Sequence, residues 1–282
     1  GNRFLAHIRE VGLIIHIVRC FEDEDVSHVS GELDPVSDIE IVNLELALAD
    51  LETVENRIEK NDRYLRSSDK KISSRAAAAA PVLETLRETL AGGEPVRSSG
   101  IQHEEITEMH LITAKPVLYV GNVDEDDIEG ESDLFKRVAA YAEKEGALCL
   151  PLCCKLEAEI AALESEEERQ DFLESVGLEE SGLHQLVRKA YEVLGLRTFF
   201  TQNGKELRAW TFIEGETAPQ AAGRIHSDFE AGFIKAEVFH CTDLFELGDV
   251  QKVKEAGKLR IEGKEYLVKD GDVILFRFQT HG

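Results

Sequence analysis

The chain has 282 residues, a hydrophobic fraction of 43% and a formal net charge of −24. This length allows two or three domains with a sizeable core, and no run approaches the ~18 apolar residues of a membrane span. The acidic charge argues against a general phosphate-binding surface, because an acidic field repels a polyanion. We therefore expect a globular protein without a membrane contact.

The charge is unevenly distributed along the chain. Residues 197–282 hold 12 basic and 14 acidic side chains, a net charge of −2, whereas residues 1–196 hold 20 and 42, a net charge of −22. A near-neutral block after an acidic one predicts two separate modules. The five cysteines include no Cys-x-x-Cys pair, which is typical of reduced, buried thiols in a cytoplasmic protein; they are Cys20, Cys149, Cys153, Cys154 and Cys241.

The first elements alternate between helix and strand. Residues 2–10 predict an amphipathic helix, and the β-branched run at 12–20 predicts a strand that is buried on both faces of a parallel sheet. An acidic loop follows at 21–25. Apolar residues at helical spacing then predict a long helix over 38–60.

A second helix is predicted over residues 75–90, after a polar and basic stretch at 61–75. Pro81 lies near its predicted start, where proline is tolerated best. Two long helices joined by a polar segment indicate an antiparallel helical hairpin, a coiled-coil-like arm. We expect this arm to be an insertion in an α/β domain.

Beyond the arm the alternation resumes. Strands are predicted at 115–122 and 147–153, with helices at 132–145, near 155–175 and at 181–195, a pattern typical of βαβ units and a parallel sheet. The last part predicts a small α+β module with one main helix, which includes His226. Its predicted strands and helix span residues 206–213, 217–229, 235–239 and 274–278.

The candidate site follows the second strand, at Asn122-Val123-Asp124-Glu125. In open α/β sheets, ligands bind beyond the carboxyl ends of the strands. Asparagine can bond a purine edge and tie neighbouring loops together, and an ionised glutamate accepts hydrogen bonds from a base that donates them. The spacing by itself favours a solvated acidic loop, so both interpretations stay open at this point.

A second candidate loop is Cys153-Cys154-Lys155, beyond the third strand. Its backbone amides lie at the level where a nucleotide base is contacted in such folds, although an ordinary strand-to-helix turn has the same pattern. The sequence contains no G-x-x-x-x-G-K-[ST] phosphate loop, and we recognise no catalytic set of side chains. A nucleotide site built from these residues alone lacks its main phosphate anchor.

Several motifs together resemble the YchF / Obg-like ATPase family of translation-factor-related P-loop proteins. Residues 122–125 match that family's Asn-x-x-Glu base-recognition motif, which replaces the usual Asn-Lys-x-Asp and accompanies acceptance of ATP. The resemblance runs in one order along almost the whole chain and is weakest over 61–110. The other matching segments are 1–10, 18–21, 28–31, 34–35, 43–51, 150–154, 208–211, 218–222, 225–229, 232–236 and 269–273.

The resemblance implies an α/β fold: a partial P-loop NTPase (Ras-like) domain with an inserted helical hairpin, followed by an α+β β-grasp TGS domain. The implied boundaries are 1–37 and 111–197 for the two G-domain segments, 38–110 for the arm and 198–282 for the TGS domain. The family's phosphate loop, switch I and the Asp-x-x-Gly of switch II are expected upstream of Gly1. These segments are expected to provide the Mg²⁺ ligands and the hydrolytic groups.

The resemblance further implies that the nucleotide is ATP or GTP. The implied base contacts are Asn122, Val123 and Glu125, with Cys153, Cys154 and Lys155 beside them. Ribosomal partners, rRNA or protein, are implied for the arm and the TGS domain. The alternative is a nucleotide-independent binding or scaffold protein that acts through those two parts, and reading upstream of Gly1 distinguishes the two hypotheses.

Overall fold

The computed structural model describes residues 2–23, 33–203 and 206–279. These residues form two compact units, Gly1–Val193 and Leu194–Gly282. Part of the predicted acidic loop at 21–25 and the whole motif at 28–31 lie outside the described residues. Within the described part of the chain, no helix is long and apolar enough to span a membrane.

The first unit is built on a parallel sheet of three strands: β1 (Ile14–Arg19), β2 (Val117–Asn122) and β3 (Leu148–Leu152). They lie in the order β1-β2-β3, and both neighbouring pairs are parallel. Parallel neighbours need long crossover connections, which the intervening helices provide. The predicted α/β arrangement with a parallel sheet is therefore confirmed.

Strand β2 is buried on both faces, whereas β1 is not. Ile15 and Ile17 of β1 are 43% and 58% exposed. The prediction that this strand is buried on both faces was wrong. The physical reason is that strand side chains stand on the faces of the sheet: the helix Gly182–Val193 packs on Leu118 and Val120 of β2, whereas the neighbouring Ile15 and Ile17 of β1 stay exposed.

Helices surround this sheet and extend beyond it. Asp34 caps the long second helix by accepting from Val36 N and Ser37 N, as short polar side chains do at N-caps. In the described part of the first unit the helices are α1 (Asn2–Glu10), α2 (Pro35–Leu65), α3 (Lys70–Ala91), α4 (Glu104–Met109), α5 (Asp133–Glu145), α6 (Cys154–Ala162), α7 (Glu166–Ser175) and α8 (Gly182–Val193).

A helix cap at Ser165 divides the helical region predicted near 155–175 into two helices. Residues near 155–175 were expected to form a continuous helix, but α6 ends at Ala162. Ser165 then starts α7 with a capping box, in which its hydroxyl accepts from Glu168 N and the Glu168 carboxylate accepts from Ser165 N. The backbone N–H groups of Ser165 and Glu168, which have no acceptor within the helix, are thus hydrogen-bonded, and this stabilises the start of a new helix.

Helices α2 and α3 pack along each other as the predicted antiparallel hairpin. Val54, Leu86 and Leu90 are fully buried in their shared apolar cluster, and Asn61 Nδ2 donates to Ala76 O over 2.9 Å. The prediction that Pro81 lies near the start of the second helix was wrong, because Asp69 caps α3 and Pro81 is the twelfth residue of that helix. Proline is accommodated inside this helix on an exposed face, where the carbonyl that loses its donor meets solvent.

Apolar clusters cover both faces of the sheet. On one face, Tyr119 of β2 packs with Val138 and Ala142 of α5. On the other, Leu118 and Val120 pack against α8. Burial of alternate side chains on opposite faces fixes β2 in the centre of the unit.

The second unit contains a five-stranded mixed sheet in the order β5-β4-β8-β6-β7. The central pair β4–β8 is parallel, and the other pairs are antiparallel. Strand β4 is absent from the predicted elements although its Thr-Phe-Phe-Thr run has strong strand propensity. The bounds are β4 (Leu196–Asn203), β5 (Glu206–Ile213), β6 (Phe233–His240), β7 (Arg260–Glu262) and β8 (Asp272–Phe278).

Phe199 and Phe212 are fully buried beneath the short helices of this unit. The predicted single helix over 217–229 is broken at His226, which has an extended backbone (φ −162°) and caps the next helix by accepting from Asp228 N. The prediction that His226 is helical was therefore wrong. The helices are α9 (Ala218–Ile225), α10 (Ser227–Ala231), α11 (Cys241–Leu247) and α12 (Val250–Glu255).

Candidate functional site

The carboxyl ends of the three parallel strands meet at one edge of the first unit. Arg19 of β1 pairs with Asn122 of β2, which in turn pairs with Leu152 of β3. The loops that leave β2 and β3 therefore begin side by side. This is the edge at which open α/β sheets bind ligands.

Asn122 joins these two loops. Its side-chain Oδ1 accepts a hydrogen bond from Cys154 N over 3.0 Å, and Cys154 is the first residue of α6. Its backbone oxygen accepts from Cys20 N over 2.8 Å. Within the described chain, the amide nitrogen Nδ2 has no hydrogen-bond partner, so this donor remains for an acceptor such as a purine ring nitrogen.

Glu125 lies three residues further on, at the start of a 3-10 turn. Asp124 fixes that turn, because its Oδ1 accepts from Glu125 N over 2.8 Å. The Glu125 carboxylate is 39% exposed, and its Oε2 accepts from Lys155 Nζ over 2.9 Å. This hydrogen bond is the main reason that the pKa of Lys155 is raised.

Val123 and Cys153 differ from these residues because their side chains point into the core. They are 2% and 6% exposed and belong to the apolar cluster on the α5 face of the sheet. Val123 N donates to Leu152 O over 3.1 Å, which continues the pairing of the two loops. Both residues therefore shape the site with their backbone, and their side chains are not available to a ligand.

The cysteines around the site are free thiols. Burial raises the pKa of Cys20 to about 12 and that of Cys149 to about 11, and it also raises the pKa of Cys154. Because the thiolate is the nucleophile and the metal ligand, burial disfavours the reactive form of these three thiols. This agrees with the expectation of structural thiols.

We tested whether the described side chains fit Mg²⁺. Among residues 2–23, 33–203 and 206–279, no group of three or more His, Cys, Asp or Glu side chains is arranged to hold a metal ion. Mg²⁺ is bound through carboxylates together with substrate phosphates.

The ion pair between Glu125 and Lys155 is the feature that sequence reasoning did not find. The two residues are 30 positions apart, and the sequence only indicated that backbone amides near Lys155 face the site. A usable signal existed, because adjacent parallel strands place their following loops together. The arrangement offers amide donors at Asn122, an acceptor at Glu125 and a cation at Lys155, which are complementary to a planar, polar heterocycle.

The chain is similar to several known proteins. The family model described as "YchF-GTPase_C: Protein of unknown function (DUF933)" matches residues 196–279. The protein named Ribosome-binding ATPase YchF from Bacillus subtilis is 48% identical over 285 residues, covering 99% of the chain and 76% of that relative. Its namesake from Escherichia coli O157:H7 is 45% identical over 283 residues, with the same coverage.

A solved structure is also similar. The Schizosaccharomyces pombe YchF GTPase superimposes with a TM-score of 0.85 at 30% sequence identity, covering 98% of this chain and 75% of that chain. The similarity therefore covers residues of both compact units.

Proposed function

Because the chain belongs to the YchF family, we propose that the loop after β2 binds the purine base of ATP or GTP in a nucleotide-hydrolysing switch protein. Asn122 and Glu125 make the base contacts with their side chains. Val123, Cys153 and Cys154 shape the site through their backbone, and Lys155 lies beside Glu125. The observation that carries this proposal is the hydrogen bond from Cys154 N to Asn122 Oδ1, which holds both loops at the ligand-binding edge.

The phosphates need a separate anchor under this proposal. The 282 residues contain no G-x-x-x-x-G-K-[ST] segment, so under this proposal the phosphate loop, both switches and the Mg²⁺ ligands are provided by sequence outside them. Such segments catalyse phosphoryl transfer by positioning and charge stabilisation. We assign hydrolysis to the complete gene product and base selection to the residues described here.

The proposed domain division follows the same family pattern. Residues 1–37 and 111–197 form two segments of a Ras-like domain, 38–110 form the inserted coiled-coil-like arm, and 198–282 form a TGS domain of the β-grasp type. The five-stranded mixed sheet with its parallel central pair supports the last assignment. A solved structure of the complete gene product checks all four boundaries.

Replacement of Glu125 by Asp tests the base site. Aspartate is one methylene shorter and suits the two adjacent donors of guanine, so Glu125→Asp is expected to shift the preference from ATP toward GTP by about 1–3 kcal/mol. Asn122→Ala is expected to weaken the binding of both ATP and GTP. The change removes a base contact and also the hydrogen bond from Cys154 N to Asn122 Oδ1. Dissociation constants for ATP and GTP, measured calorimetrically on the complete gene product, report both effects.

The matched control is Glu129→Asp, the same change at an exposed position of the same loop. It is expected to leave both affinities unchanged. An unchanged ATP/GTP ratio in Glu125→Asp would remove that residue from base selection. Absence of any nucleotide binding by the complete gene product would favour the alternative, a nucleotide-independent scaffold protein.

We also propose that the protein contacts the ribosome, which places it in the cytoplasm. The Bacillus subtilis and Escherichia coli relatives are both named ribosome-binding. The contact is assigned to the arm and to the second unit, whose net charge of −2 repels rRNA far less than the −22 of residues 1–196. Co-sedimentation with ribosomes tests this contact.

A further inference from the structure

We propose that Lys155 determines the nucleotide specificity of the site by occupying one oxygen of Glu125. With Oε2 held by Lys155, the carboxylate presents a single free oxygen, and the pair as a whole offers one acceptor and one donor. That combination matches adenine better than guanine. The inference rests on the proposed function, since it requires that a base binds at this loop.

The fold imposes the contact between these two side chains. Lys155 directly follows Cys154, whose amide is bonded to Asn122, so the start of α6 cannot move away from the loop after β2. Glu125 is held from the other side by the bond from its own amide to Asp124 Oδ1. The 2.9 Å ion pair thus spans two backbone segments that are already fixed.

The edges of guanine and adenine present different sets of hydrogen-bond donors and acceptors. The edge of guanine presents two adjacent donors, the ring N1–H and the 2-amino group, which together fit both oxygens of a carboxylate. The edge of adenine presents one donor, the 6-amino group, beside one acceptor, the ring N1. A carboxylate with one oxygen already accepting, next to an ammonium with donors to spare, satisfies both adenine groups, whereas the second guanine donor has to share Oε2 with Lys155.

A purely structural role does not account for this pair. Its members are 68% and 39% exposed, and exposed ion pairs contribute little to stability. The same unit has a comparable pair, Lys189 with Glu192, also 2.9 Å apart and exposed on α8. The Lys155 pair differs from it by joining the two loops that border the candidate base site.

The decisive variant is Lys155→Met, which removes the charge and the donors but keeps most of the side-chain length. Both Glu125 oxygens become available, so the ratio of the GTP dissociation constant to the ATP dissociation constant is expected to fall about threefold to fivefold. Lys189→Met, the matched control, is expected to leave the ratio unchanged. Both variants are titrated with ATP and with GTP in the complete gene product, and both are expected to keep the parent's melting temperature.

A double variant separates a direct effect from an indirect one. In a Glu125→Gln background, Lys155→Met is expected to cause no further change in the ratio, because the carboxylate on which it acts is gone. An additive effect in that background would overturn the inference, and so would a ratio that stays constant or moves toward ATP in Lys155→Met alone.

The failure of the inference is distinguishable from the failure of the proposed function. If Glu125→Asp shifts the ratio and Lys155→Met does not, the base site stands and Lys155 has no part in specificity. If Asn122→Ala and Glu125→Asp both leave ATP and GTP binding unchanged, the base does not bind at this loop and both proposals fall.

Discussion

Asp50 illustrates how one buried carboxylate can organise distant parts of the chain. It is fully buried in α2, where its Oδ2 accepts from Thr113 N over 2.7 Å and from the Thr113 hydroxyl over 2.8 Å. Its Oδ1 accepts from Ile112 N and from Arg9 Nη1. This residue therefore ties α1, the base of the arm and the segment before β2 to one another.

Replacement of Asp50 by Asn is expected to destabilise the first unit by about 2–4 kcal/mol. The amide has only one accepting oxygen, so buried donors lose their partner and Arg9 loses its counter-charge. Urea unfolding followed by far-UV circular dichroism measures the loss. Glu52→Gln, an exposed change on the same helix, is the control, and an equal effect in the two variants would contradict this role for Asp50.

At the scale of elements, an ion pair fastens α4 to α2. Arg57 of α2 donates from Nε to Glu105 Oε2 over 2.6 Å and from Nη2 to Glu105 Oε1 over 2.9 Å. Glu105 is 1% exposed. The hydrogen bonds from Arg57 lower the pKa of the Glu105 carboxyl below its usual 4.5, despite the opposing effect of burial.

This shift predicts a stability that depends on pH. A carboxyl whose pKa is lower in the folded state stabilises the fold above its unfolded pKa, and this contribution is lost as the pH falls through the lowered folded value. Glu105→Gln is therefore expected to be less stable than the parent by about 1–3 kcal/mol at pH 7, with a difference that shrinks as the pH falls below about 4.5.

Urea unfolding at a series of pH values from 7 to 3 measures this convergence. The control is Glu104→Gln, the neighbouring residue, whose ion pair with Arg75 is exposed and 3.5 Å long. Its stability is expected to follow the parent at every pH. A Glu105→Gln profile that runs parallel to that of the parent would show that the Arg57 pair does not cause the dependence.

At the scale of the whole molecule, charge and fold divide at nearly the same place. The compact units divide after Val193, and the acidic block of the sequence ends at 196. Each unit has an apolar core of its own, around Tyr119 in the first and Phe199 in the second. The second unit by itself therefore carries little of the negative charge of the chain.

Removal of residues 196–279 from the complete gene product is expected to reduce its co-sedimentation with ribosomes. The physical reason is that the remaining surface is strongly acidic and repels rRNA. A melting curve of the shortened protein establishes that the first unit still folds. Undiminished co-sedimentation would exclude the second unit from the contact and leave the arm as the binding element.

Local sequence patterns determined much of this architecture. The apolar run within 115–122 predicted the central strand, and helical spacing of apolar residues predicted α2, because both signals are set by neighbours along the chain. The motif spacing at Asn122 and Glu125 placed the candidate loop at the end of a strand, and the family resemblance was clear from residues alone.

Tertiary structure decided what depends on residues far apart in the chain. The exposure of Ile17 on β1, the parallel pairing of β4 with β8 and the ion pair of Glu125 with Lys155 all depend on which elements become neighbours. A periodic pattern reports which face of an element is apolar, but it does not report what packs beside that element. For this reason the sequence located the candidate base site, and only the folded chain revealed that Lys155 occupies one of its acceptor oxygens.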